Sequence, residues 1–210
     1  MKSTTALLLI LLNASAAVAQ SPATGALLVA TDELRDPRFS ETVILLLHYG
    51  PDGALGVAVN RPTWVEAADA FSDMPFLDEY TGNVYMGGPL APANLVTLMR
   101  ISDIGDNELE PIVDDIYVSA DPVLLAELLD TAGTAGTAGT EQTLRVYAGH
   151  AGWEAGQLDR EIAAGSWQVL PASAEFVFTN EPLELWVELR APQSELMVYR
   201  ADDRPRLPSP

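Results

Sequence analysis

Two apolar runs on either side of a short cluster of breakers constrain this chain more than any other feature. Thr42 to His48 reads TVILLLH and Ala54 to Asn60 reads ALGVAVN, with Tyr49-Gly50-Pro51-Asp52-Gly53 between them. Runs rich in β-branched and aliphatic residues, bounded by Gly and Pro, predict buried strands. A five-residue turn cluster between them predicts an antiparallel hairpin.

The remaining chain is read outward from that hairpin. Strands are expected at Gly25–Ala30, Asn83–Met86, Leu95–Ile101, Ile112–Val118, Leu144–Ala148 and Trp167–Leu170. Helices are expected at Val65–Phe71, Gln157–Ala164, Ala172–Phe178 and Leu183–Leu189, and at Val123–Leu129 behind Asp121 as N-cap and Pro122 at the first helical position. Gly165 follows Gln157–Ala164 where a helix C-terminus favours glycine. Thr131 to Gly139 repeats Thr-Ala-Gly three times, which cannot bury a face and reads as a loop insertion. Strands and helices mix without regular βαβ alternation, so the fold class is α+β.

The first 19 residues carry Lys2, an aliphatic run from Ala6 to Leu12 and Ala17-Val18-Ala19, the order of parts in a secretory signal peptide. The run is shorter than the ~20 residues of a membrane span. The expectation is a cleaved signal at 1–19, one domain over 20–191 and a Pro- and charge-rich tail at 192–210, the product being periplasmic or secreted without stable membrane insertion. The mature chain would keep ten arginines against thirty acids, a net charge of −20. Such a surface repels nucleic-acid phosphates and anionic lipid heads, so no nucleic-acid partner is expected. The sequence has no Cys, which excludes disulfides, thiol catalysis and thiolate metal sites.

Most signatures of catalysis are missing. Neither a P-loop nor a dinucleotide fingerprint occurs. Gly149-His150-Ala151-Gly152 has Ala where a nucleophile elbow would place its serine. His48 and His150 are the only imidazoles and stand in no ligand spacing, so no metal or cofactor is expected. The adjacent pairs Asp114-Asp115 and Asp202-Asp203 point to opposite faces of an extended chain and read as solvated charge.

Three segments stay open to function, each with a bland alternative. Arg61, fixed between Asn60 and Pro62 at a strand end, could grip a carboxylate or phosphate in two-pronged fashion, or simply pair with one of thirty acids. Gly87-Gly88 could bring backbone N–H groups to a ligand, or make a tight turn. Gly149 to Leu158, GHAGWEAGQL, reads as a glycine-rich loop entering a helix whose free N–H groups could hold an anion. Within it Trp153, Gln157 and Glu161 recur at four-residue spacing on one face, with Leu158 and Ile162 as the core stripe, and Trp153 could equally be a core plug.

These segments together resemble the YqgE/AlgH family. The residues that carry the likeness are GALLVATDELRDPRFSETVILLLHY, GALGVAVNRP, YMGGPL and RVYAGHAGWEAGQLDREIAAGSWQV, in that order from Gly25 to about Trp186. His150 stands where the family commonly has Tyr, Glu154 where Gly is common, and the Thr-Ala-Gly tract where members have a shorter loop. Typical members lack a signal peptide. The resemblance implies an α+β fold whose mixed sheet forms a small barrel-like core surrounded by helices, and it implies no established reaction. The family is sometimes described as a transcriptional regulator, a label that fits poorly with an acidic chain that lacks a basic stripe and is expected to be exported. The preferred reading is a non-enzymatic binding or accessory protein for an unknown small molecule or protein, with a cleft built from Asn60, Arg61, Gly87, Gly88, His150, Trp153 and Gln157. The rivals are a hydrolase or transferase using Arg61, His150 and Asp36 or Glu161, and a regulator acting through protein contacts.

Overall fold

A computed structural model describes residues 21–74, 77–78, 80–101, 109–121, 123 and 143–190. The expected signal segment, the Thr-Ala-Gly tract, nearly all of the helix placed at 123–129 and the tail lie outside them. Nine strands form one mixed sheet: β1 Ala26–Ala30, β2 Val43–Gly50, β3 Gly53–Ala58, β4 Pro62–Glu66, β5 Asn83–Met86, β6 Leu90–Arg100, β7 Ile116–Ser119, β8 Leu144–Glu154 and β9 Trp167–Pro171. The helices are short: α1 Ala67–Ala70, α2 Gln157–Ala163, α3 Ala174–Val177 and α4 Leu185–Arg190, with a 3-10 turn at Pro37–Phe39.

The hairpin forms as read, with Gly50 opposite Gly53 and Ile44 opposite Ala58. The strand order is β4-β5-β8-β3-β2-β1-β9, and β6 joins through β8 and β7 through β6. This order corrects the barrel-like expectation. Among the described residues β4 and β9 pair on one side only, so the sheet is open. The helices do not surround it. Part of the shortfall comes from Val65–Phe71: Pro62–Glu66 is drawn into pairing with β5, leaving only Ala67–Ala70 as a helical turn.

The inner strands are apolar at successive positions because both faces are covered. Leu27, Val29, Val43, Leu45 and Val57 pack into a core closed by Val177, Phe178, Leu185 and Leu189. Their neighbours Leu28, Ala30, Ile44, Leu46 and Ala58 pack on the other face with Trp153, Leu158 and Trp167. A further cluster holds Phe71, Tyr80, Val84, Met99, Leu144 and Val146.

The main departure lies in β8. The expectation was a strand to Ala148 and then a loop. The strand continues through the glycines to Glu154, with its first half between β5 and β6 and its second half on β3, where Trp153 lies opposite Ala54. Glycines here serve close backbone approach inside a sheet, a role that the loop reading of a Gly-rich segment overlooks. Asp114 and Asp115 also do more than face solvent. Asp115 pairs with Arg100 at 3.0 Å, and Asp114 Oδ2 accepts from Ala174 N at the start of α3.

Candidate functional site

The chain leaves β3 through Val59 and Asn60, where the hairpin ladder ends. Asn60 is only 5% exposed. Its Oδ1 accepts from Val43 N and its Nδ2 donates to Glu41 O, both at 2.9 Å. The amide therefore completes the backbone bonding of β2 and props up the turn that carries Arg61. The half-buried Arg61 donates from Nη2 to Ser40 O at 2.8 Å and to Thr42 Oγ1 at 2.6 Å. It makes no ion pair among the described residues, and its Nε and Nη1 make no hydrogen bond there. Burial draws its pKa below the ordinary arginine value. The guanidinium is thus clamped by one nitrogen, to a carbonyl and a hydroxyl rather than to an acid.

Arg61 lines a pocket of about 270 Å³ with Arg38, Phe39, Ala58, Met86, Gly88 and Pro89. Arg38 is already engaged: its Nε and Nη2 bind the Asp36 carboxylate at 3.0 and 2.7 Å. That hydrogen bond, with a smaller backbone and Coulombic contribution, holds the Asp36 carboxyl below its usual range. The walls of the pocket are otherwise apolar.

Gly87 and Gly88 meet Gly149 and His150, backbone against backbone. Gly87 N donates to Ala148 O and its carbonyl accepts from Ala58 N, each at 2.9 Å. A Cβ on Gly87 would sit 2.3 Å from Gly149 O, and one on Gly88 would sit 2.2 Å from the carbonyl carbon of His150. Gly149 has φ +68°, open to glycine at little cost. The crossing forms the back of the Arg61 pocket, through Gly88. His150 lies opposite Leu90 in the β6–β8 ladder and does not line that pocket.

Trp153 and Gln157 belong to a different constellation. Glu161 Oε2 accepts from the indole N–H of Trp153 at 2.9 Å and of Trp167 at 2.8 Å, while its Oε1 accepts from Gln157 Nε2 at 2.8 Å. The two indoles meet edge to face at 6.1 Å. The shared face of Trp153, Gln157 and Glu161 is present, and it is turned to pinning α2 against β8 and β9. Phe39, edge-on to Trp167 at 6.0 Å, and Ala58, packed in the same core cluster, link this constellation to the Arg61 pocket.

Arg145 went unnoticed in the sequence. It is 2% exposed and reaches across to the α3 end of the fold, where Nη1 donates to Val177 O at 2.7 Å and Nη2 to Thr179 O. Its guanidinium lies over the rings of Tyr85 and Phe178. The available signal was a charged residue in second place of an otherwise apolar strand, Leu144–Ala148. The buried Arg145 lines a second, larger pocket of about 420 Å³ with Thr63, Trp64, Asn83, Tyr85, Asn180, Pro182 and Leu183.

An open, sheet-dominated α+β fold with a glycine crossing beside an arginine pocket defines the class. The family model described as AlgH-like, DUF179, matches residues 27–195, and the chain belongs to that family. A UPF0301 protein of Streptomyces avermitilis is 34% identical over 197 residues, covering 89% of this chain and 96% of that one. A UPF0301 protein of Chlorobaculum tepidum is 32% identical over 162 residues, covering 77% and 82%. The solution structure of the AlgH protein from Pseudomonas aeruginosa superimposes with a TM-score of 0.62 at 25% identity, covering 85% of this chain and 95% of that one. A crystal structure from Corynebacterium diphtheriae, at TM-score 0.67 and 24% identity over 82% of this chain and 89% of that one, shares the fold.

Proposed function

We propose that this chain is an exported, non-enzymatic binding or accessory protein whose ligand is a small molecule with a carboxylate head and an apolar body, held in the Arg61 pocket. The observation that carries this reading is the state of Arg61. One nitrogen is tied to the Ser40–Thr42 segment, while Nε and Nη1 make no hydrogen bond among the described residues, in a chain with thirty acids. An arginine held in this way keeps Nη1 and Nε as separate donors, each suited to a single charge-assisted hydrogen bond to a carboxylate oxygen. Phe39, Ala58, Met86 and Pro89 suit an alkyl or aryl body. A volume near 270 Å³ falls just under the roughly 300–1,000 Å³ of sites for drug-sized ligands, so the ligand is small. The described lining residues supply no imidazole, carboxylate or free hydroxyl to work as base or nucleophile, which favours binding over turnover. Export rests on the Lys2, Ala6–Leu12 and Ala17–Ala19 pattern.

Native mass spectrometry of the protein taken from its own host's envelope tests both parts. The expected species starts at or near Gln20 and carries a small acid that is lost from an Arg61→Met variant. A soluble product retaining Met1 refutes export. A wild-type protein that carries no adduct and takes up none from a panel of short-chain acids refutes the ligand class.

A further inference from the structure

We infer that the pocket above Arg145 is a docking site for a proline-rich, arginine-bearing segment of a partner protein. Trp64 is 95% exposed and Leu183 67% exposed, an unusual cost for large apolar side chains unless something covers them. Trp64 on β4, and Leu183 with Pro182 just before α4, line one pocket together with the buried Tyr85. Ring edges and prolines spaced across such a groove offer slots for proline rings. The polar groups match as well. The indole N–H of Trp64 and the side-chain amide of Asn180 make no hydrogen bond among the described residues, and both can donate. A polyproline II segment has carbonyls with no internal hydrogen bonds, ready to accept, and arrives pre-extended, so little ordering entropy is lost.

Charge selects which proline-rich segment fits. Glu66, two residues beyond Trp64 on the same strand, and Glu181 and Glu184, flanking Pro182 and Leu183, are all exposed. The only arginine in the pocket is the buried Arg145, whose charge is turned to the carbonyls of Val177 and Thr179 and to two rings. Three exposed acids therefore flank the lining residues along the chain, and the protein as a whole carries −19. A segment with arginines beside its prolines is favoured, and one with acids is repelled.

The test uses the full chain and a labelled synthetic peptide with the sequence of residues 204–210, RPRLPSP, as probe, read by fluorescence anisotropy. Saturable binding is expected. It should weaken about tenfold or more in Trp64→Ala, the size of a lost aromatic anchor. Trp64 is exposed, so this variant keeps its fold, which circular dichroism checks. Binding should also fail when the peptide's prolines are replaced by alanine. Equal binding of the alanine peptide would reduce the effect to charge attraction and overturn the proposal, as would binding indifferent to Trp64→Ala. If the probe binds only after Arg204→Glu and Arg206→Glu are made in the chain itself, the pocket serves the protein's own segment and the assignment to a partner is overturned.

Discussion

Arg145→Met removes a charge that the fold has enclosed and replaces it with an apolar side chain of similar reach. Two backbone carbonyls, Val177 O and Thr179 O, lose their donor. A buried acceptor left unmatched costs about 1–3 kcal/mol. The cation–π contacts with Tyr85 and Phe178 are lost too, at about 0.5–2 kcal/mol. Against this, a methionine carries no desolvation penalty, and apolar replacements of buried charges recover part of the loss. The balance is a destabilisation of about 2–4 kcal/mol. Urea unfolding should show a lower midpoint with an unchanged slope. A domain of this size loses roughly 2–4 °C of Tm per kcal/mol, so the melt should fall by about 5–15 °C. Arg145→Lys should recover little, because one ammonium cannot reproduce the fork that spans both carbonyls. A methionine variant within about 0.5 kcal/mol of wild type, inside the usual range for surface substitutions, would refute the view that Arg145 ties the 177–179 segment to the sheet.

Three further outcomes follow from the geometry. Gly88→Ala places a Cβ 2.2 Å from the backbone of His150, which cannot yield cheaply, so the variant should lose more than about 2 kcal/mol in urea unfolding or fail to accumulate as folded protein. Glu161→Gln turns one carboxylate oxygen into an NH₂, which forfeits either both indole bonds or the one from Gln157. The expected loss is about 1–3 kcal/mol with an altered near-UV circular dichroism signal from Trp153 and Trp167. Among the described residues the buried Tyr147 hydroxyl makes no hydrogen bond of good geometry, and burial, outweighing the nearby Arg145 charge, pushes its pKa up, so Tyr147→Phe should be neutral or stabilise by up to about 1 kcal/mol in the same assay.

How much the sequence disclosed depended on whether a feature was local. The β2–β3 hairpin, β5, α2 with Gly165 behind it, and β9 could be read from runs, caps and breakers, which act over a few residues. The Trp153–Gln157–Glu161 face followed from helical spacing carried back one turn. What stayed hidden was set by distant partners. Pro62–Glu66 is a strand because β5 lies beside it, and β8 runs past Ala148 because β3 and the Gly87–Gly88 crossing receive it. Arg61 was recognised as a fixed arginine, but its bonds to Ser40 and Thr42, in place of an acid, depend on the turn after the 3-10 segment. The seven residues read as one cleft divide in space: Arg61 and Gly88 line a pocket, Asn60 and Gly87 support it, His150 lies off it opposite Leu90 in the β6–β8 ladder, and Trp153 and Gln157 serve another cluster. Arg145 was missed because a charge within an apolar strand finds its partners 32 and 34 residues later.

The central claim is that Arg61 holds a ligand carboxylate, and calorimetric titration with octanoate tests it most directly, with 1-octanol as the uncharged control. The account predicts saturable binding of octanoate to the wild type and much weaker binding of octanol. It predicts loss of octanoate binding in Arg61→Met, with only about 1–2 kcal/mol of stability lost, because two hydrogen bonds to Ser40 and Thr42 disappear. Octanoate binding that survives Arg61→Met unchanged, or octanol binding as tightly as octanoate, would contradict it.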